Sequence, residues 1–105
     1  MLFRSRLGHT VLRANNGQEA LDQLDAAPAD LLILDLAMPV MDGVTALRKL
    51  RADTRFGDLP VIMLTASGLE RDARTARAEG ASEFLTKPFR SQELVEKLEA
   101  LLSPP

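Results

Sequence analysis

The stretch that decides the fold is Leu31-Leu32-Ile33-Leu34-Asp35, continued by Leu36-Ala37-Met38-Pro39-Val40-Met41-Asp42-Gly43. Four large aliphatics in succession, closed by one carboxylate and a Pro/Gly loop, read as a buried strand. An unbroken apolar run belongs to a parallel strand covered on both faces. In open parallel sheets, chemistry gathers at the carboxyl ends of the strands. Asp35 therefore stands at the edge where function is expected, and the other segments are positioned relative to it.

Working outward, strands and helices alternate with little slack. Met1–Leu7, apolar at Leu2, Phe3 and Leu7, reads as the last turns of a helix, with Gly8 placed to stop it. Thr10–Ala14 reads as a short strand. Asn16-Gly17-Gln18-Glu19 has capping-box spacing, and Ala20, Leu21 and Leu24 supply one helical face before Pro28. Beyond Asp35, Gly43–Ala52 reads as a helix with Val44, Leu47 and Leu50 on one side. Leu59–Thr65 is a third strand, and Ser67-Gly68-Leu69-Glu70 repeats the capping-box spacing to open a helix to Glu79. The apolar face of that helix is thin: Leu69, Ala73 and Ala76. Ser82–Thr86 is a fourth strand, Lys87-Pro88-Phe89 turns, and Leu94, Val95, Leu98, Leu101 and Leu102 mark the last helix. Such alternation through short loops predicts a doubly wound α/β fold, a parallel sheet with helices on both faces.

Composition narrows the function classes. The 105 residues read as one domain, with Ser103-Pro104-Pro105 as a tail or the start of a linker. A net charge of −2 offers no electrostatic case for binding nucleic acid or an anionic membrane. The lack of cysteine excludes disulfides and thiolate-bound metal. No apolar run reaches membrane-spanning length, so a soluble, cytoplasmic protein is expected.

Three polar residues fall at equivalent places. Asp35, Thr65 and Lys87 each close an apolar strand, so all three project at one edge of the sheet. A carboxylate, a hydroxyl and an ammonium converging there suit a phosphoryl group: the carboxylate attacks, and the other two hold the phosphoryl oxygens. Lys87-Pro88 adds a bond that can be cis, which would fix where the lysine points. Taken singly, a strand-end acid is more often a cap, a threonine a strand former and a lysine a solvated charge. Their coincidence at successive strand ends is the signal. Asp42, just before Gly43, reads as a turn or cap residue. His9 has no nearby metal-binding companion, and Met38, Met41 and Met63 read as packing.

The segments Leu34-Asp35-Leu36-Ala37-Met38-Pro39-Val40-Met41-Asp42-Gly43, Leu64-Thr65-Ala66 and Gly80–Phe89 resemble the receiver domains of two-component response regulators, the CheY-like superfamily. Asn16–Leu21 fits the same pattern, and the match runs from about Gly8 to Leu102. The resemblance implies a flavodoxin-like sheet of strand order 2-1-3-4-5. It also implies that Asp35 accepts a phosphoryl group from a histidine kinase or phosphotransfer protein. Thr65 and Lys87 would then bind that group, the backbone carbonyl of Ala37 and Asp35 would ligate Mg²⁺, and Phe84 would be the aromatic switch that follows Thr65. The last two helices would form the face offered to an effector domain or protein.

One departure carries consequences. Receivers begin with a central strand ending in an acidic pair that helps bind Mg²⁺, and Met1–Leu7 carries no Asp or Glu. By the family's order the missing strand belongs between Thr10–Ala14 and Leu31–Asp35. Four strands per chain are then expected. The sheet would be rearranged by pairing those two strands directly, or completed by a partner chain in a homodimer or strand-exchanged oligomer. Mg²⁺ would be weakly held and phosphorylation of Asp35 impaired. Enzymatic activity is not expected beyond self-phosphorylation from small phosphodonors and autodephosphorylation. A haloacid-dehalogenase-type phosphohydrolase needs a second acid two residues after its nucleophile, and that position is Ala37. The alternative function is a receiver-like interaction module that works without phosphorylation.

Overall fold

The structure is a computed structural model and describes residues 2–6, 8–36 and 40–102. Leu31–Asp35 (β3) is the middle strand of five, lying between Thr10–Ala14 (β2) and Val61–Thr65 (β4). Glu83–Thr86 (β5) forms one edge and Leu2–Arg4 (β1) the other. The strands from β2 to β5 run parallel, with Leu12 opposite Leu32, Ile33 opposite Ile62 and Met63 opposite Phe84.

Successive residues of a strand face opposite sides of its sheet, so β3 divides its side chains between two cores. Leu32 and Leu34 join Leu12, Ala14, Val61, Met63 and Phe84 on one face. Gly17–Ala26 (α1), Val40–Ala52 (α2) and Glu70–Ala78 (α3) cover that face, through Ala20 and Leu24, through Val44, Leu47 and Leu50, and through Ala76. Leu31 and Ile33 join Val11, Ile62, Leu64 and Leu85 on the other face, under Leu98 of Ser91–Leu102 (α4). Burial on both sides is why β3 shows no polar alternation. This is the flavodoxin-like architecture expected from the sequence.

The N-terminal reading needs correction. Leu2–Arg4 is an edge strand antiparallel to β2, with Phe3 opposite Val11, and not the end of a helix. Gly8 adopts φ +89° in the hairpin between them, its N–H donating to the Ser5 carbonyl at 2.9 Å. A glycine with positive φ suits a hairpin turn as well as a helix end. The positive φ of Gly8 therefore serves a hairpin here and not a helix end. The sheet accordingly has five strands and not four.

The order also differs from 2-1-3-4-5. Here β2 pairs directly with β3, from Val11 opposite Leu31 to Ala14 opposite Leu34, and the sheet closes within the chain. That is the first of the two expected arrangements. The ladder satisfies the backbone of β2 while Val11, Leu12 and Ala14 are fully buried.

Caps divide in the same way. Asn16 Oδ1 accepts from the Glu19 N–H at 2.8 Å and starts α1 as the spacing predicts. Ser67 does not start α3, which begins at Glu70 with Leu69 as an uncapped N-cap. The Ser67 hydroxyl donates to Asp72 instead, and its oxygen accepts from the Leu69 N–H at 3.4 Å. Ser67 thus bonds the backbone of the loop before the helix and leaves the first turn of α3 uncapped.

Candidate functional site

The parallel register brings the strand ends to one edge. Asp35 lies opposite Leu64, Thr65 lies opposite Thr86, and Lys87 follows directly. Backbone bonds continue the alignment past the strands: the Leu36 N–H donates to the Leu64 carbonyl at 2.8 Å, and the Lys87 N–H to the Thr65 carbonyl at 2.7 Å. The Lys87–Pro88 peptide bond is cis. The Lys87 ammonium pairs with Asp35 Oδ1 and reaches the Leu36 carbonyl at 3.4 Å. Thr65 is buried, and its Oγ1 accepts from the Ser67 N–H at 3.2 Å. A hydroxyl oxygen accepting from an amide keeps its own proton for a second partner.

A residue that the sequence reading passed over completes the edge. Arg13 Nη2 donates to Asp35 Oδ2 at 2.6 Å. Each oxygen of this carboxylate therefore faces a cation, Lys87 at Oδ1 and Arg13 at Oδ2. Arg13 sits one residue before the end of β2, and only direct pairing with β3 brings it beside Asp35. The available signal was a charged residue interrupting Thr10-Val11-Leu12-Arg13-Ala14 near its functional end.

These partners set the acidity of Asp35. Burial pushes the carboxyl group up, but contacts from Lys87 and then Arg13 more than offset it, holding the group below its ordinary 3.8. A carboxyl group with a depressed folded pKa adds stability above its unfolded value, and that stability is lost as pH falls through the folded value. The stability advantage of the parent over Asp35→Asn is thus expected to be largest above about pH 4 and to shrink below it. Urea midpoints of both proteins at about pH 6 and about pH 3 measure this. An advantage unchanged or larger at the lower pH would contradict the ion pairs.

The other sequence candidates fall as follows. Phe84 is buried in β5 against the helix-covered core, and Met63 is core as expected. Asp42 belongs to the first turn of α2. The half-buried His9 lies beside the β1–β2 hairpin, its N–H donating to Ser5 Oγ at 3.2 Å. The Ala37 carbonyl, Met38 and the Ser103–Pro105 tail lie outside the described residues, as does the Met41 side chain. For a divalent cation, the described oxygens at this edge include the Asp35 carboxylate and the Leu36 carbonyl, both already contacted by cations. Among the described residues no cluster of three His, Cys, Asp or Glu could hold a metal ion. Nor is any described helix long and apolar enough to cross a membrane.

A flavodoxin-like sheet with an acid, a hydroxyl and an ammonium at its carboxyl edge defines a small class of domains. The family model for the response regulator receiver domain matches residues 1–99, and the chain belongs to that family. Chemotaxis protein CheY1 of Helicobacter pylori (strain J99) is 45% identical over 100 residues, which span 93% of this chain and 81% of that protein. Among solved structures, the chemotaxis response regulator CheY4 of Vibrio cholerae is 32% identical with a TM-score of 0.72. That match covers 84% of this chain and 73% of CheY4. The receiver domain of sensor histidine kinase PA1611 from Pseudomonas aeruginosa PAO1 carries a magnesium ion in its active site cleft. It is 31% identical, with a TM-score of 0.70 over 86% of this chain and 75% of that domain.

Proposed function

We propose that this receiver domain is a phosphoacceptor in two-component signalling, with Asp35 as the residue that receives the phosphoryl group. The observation that carries the reading is the Asp35 carboxylate at the end of the central strand with the Lys87 ammonium on it. The donor would be the phosphohistidine of a histidine kinase or of a phosphotransfer protein. Lys87 would neutralise the incoming phosphoryl oxygens, and the Thr65 hydroxyl would donate to one of them. As Thr65 moves toward the phosphoryl group, Phe84 would follow it and change the face of α3, β5 and α4 presented to an effector. In α3, Ala76 is the one buried residue and Leu69, just before it, is 50% exposed. Sparse burial of this kind suits an element that shifts at low cost.

The Mg²⁺ implied by the family fits this donor set poorly. The ion needs several oxygen ligands and binds through carboxylates shared with phosphate oxygens. Here one carboxylate serves two cations, so bringing in a third sets two like charges against it. We therefore read phosphorylation as slow. Incubation with acetyl phosphate is expected to add one phosphoryl group per chain over hours, detected by intact mass and absent from Asp35→Asn. Fast labelling that depends on Mg²⁺ would overturn the weak-metal reading. No labelling from either a small phosphodonor or a kinase would favour the second function, an interaction module independent of phosphorylation. The pairing of both Asp35 oxygens in the resting protein is what favours that alternative.

A further inference from the structure

The arrangement around Asp35 asks a specific question: what balances a dianionic phosphoryl group at a carboxylate already paired with two cations? Two cations flank one carboxylate, so the trio of Arg13, Lys87 and Asp35 carries a net positive charge before any ligand arrives. The Arg13 side chain is 37% exposed and that of Lys87 34%, whereas that of Asp35 is 14% exposed. The cations therefore form the solvent-side wall of the site and the carboxylate its floor. A guanidinium presents a planar fork of N–H donors that matches phosphate oxygens, and an ammonium acts as a point charge.

We infer that Arg13 is the second phosphoryl-binding residue of this site, and that Arg13 and Lys87 together form an oxyanion clamp that works without a divalent metal. The inference rests on the reading of Asp35 as phosphoacceptor and adds to it a residue and a metal independence. In the transfer, a carboxylate oxygen of Asp35 attacks the phosphorus of acetyl phosphate. The O–P bond forms as the bond from phosphorus to the acetyl oxygen breaks, and acetate leaves with the electron pair. No proton is required. As the carboxylate charge is drawn into the new bond, Arg13 and Lys87 exchange it for the phosphoryl oxygens a bond length further out. The two cations that hold Asp35 in the resting protein are then those that hold its phosphorylated form.

The direct pairing of β2 with β3 is what makes the clamp possible. Arg13 stands opposite Ile33, two residues short of Asp35, and its long side chain spans that offset along the parallel ladder. A strand inserted between β2 and β3 would place Arg13 one strand spacing further away, about 4.8 Å. The clamp belongs to this strand order.

The test uses the full chain with Arg13→Lys, Arg13→Gln and Arg13→Ala, each first checked for parental urea unfolding. Labelling by acetyl phosphate is followed by intact mass in Mg²⁺ and, separately, in EDTA. The parent is expected to label at the same rate within about twofold in both. Arg13→Gln and Arg13→Ala should label about tenfold or more slowly, as for loss of one oxyanion donor at a partly open site. Arg13→Lys, which keeps the charge and loses the fork, should lie between them. A second arm uses inorganic phosphate in EDTA, which should raise the melting temperature of the parent and of Asp35→Asn but not of Arg13→Ala.

The outcomes separate the two readings. Labelling that collapses in EDTA and ignores Arg13 overturns the clamp and leaves Asp35 as phosphoacceptor. Absence of labelling in the parent removes the phosphoacceptor reading, and the phosphate arm then decides the clamp alone. Phosphate stabilisation that survives in Arg13→Ala overturns it, as does the absence of any stabilisation in the parent.

Discussion

Replacing Ile33 by alanine is expected to destabilise the protein by roughly 2–5 kcal/mol, the range for truncating a large aliphatic in a packed core. Ile33 is fully buried in the middle strand of the sheet, with Arg13 opposite it on β2 and Ile62 on β4. Its side chain belongs to the core under α4, where Leu98 and the partly buried Leu94 and Leu101 cover it. One helix covers this face, against three on the other, so few neighbours can move in to fill the lost volume. A typical domain has about 5–15 kcal/mol in total, and the substitution removes a large part of it. The urea midpoint should fall with an unchanged slope. Leu2→Ala is the control, because Leu2 is 45% exposed on the edge strand and should shift stability by less than about 0.5 kcal/mol. Equal effects at the two positions would show that β3 is not the centre of the sheet.

The same strand explains what the sequence could reveal. Leu31–Asp35 was legible because burial on both faces removes alternation, a local property visible in five consecutive letters. Asp35, Thr65 and Lys87 were legible for a related reason, since parallel strands joined by short crossovers must end at the same edge. The Asn16 cap followed from local spacing as well. The residues misread depend on contacts that spacing alone does not show. Leu2–Arg4 has too few residues to show a period, and it is a strand because β2 offers it a ladder. Ser67 has a capping residue's identity, but its oxygen accepts from the Leu69 N–H, ahead of the helix that starts at Glu70. Arg13 is the clearest case. Its neighbours along the chain mark it only as a charge interrupting a short strand, and its contact with Asp35 follows from which strand lies beside β2. The general rule that ligands sit at strand ends finds the site, whereas the identity of neighbouring strands decides which charges reach it.

That dependence on strand and helix placement makes Gly17 a sharp probe. A Cβ at Gly17 would lie 2.2 Å from the Ala46 Cβ and 3.2 Å from its Cα, far inside van der Waals contact. Gly17 opens α1, and Ala46 lies in α2, so the two helices meet there through the absence of one methyl group. Alanine would ordinarily be the better helix former, by up to about 1 kcal/mol. Gly17→Ala should nevertheless destabilise by about 1–3 kcal/mol, because Ala46 offers a backbone atom as well as a side chain and cannot rotate away. Valine at the same position should be worse. Ala46→Gly removes the opposing methyl, and the double variant Gly17→Ala/Ala46→Gly should recover part of the loss. The coupling between neighbours in contact is expected at about 0.5–3 kcal/mol from urea midpoints. Additive effects, or a Gly17→Ala protein more stable than its parent, would mean that α1 and α2 do not pack this closely. The consequence reaches the site, because Gly17 follows Arg13 by four residues through the Asn16 cap. If α1 is pushed from α2, the end of β2 moves with it, and phosphoryl labelling in Gly17→Ala should fall more than in an equally destabilised Leu24→Ala control.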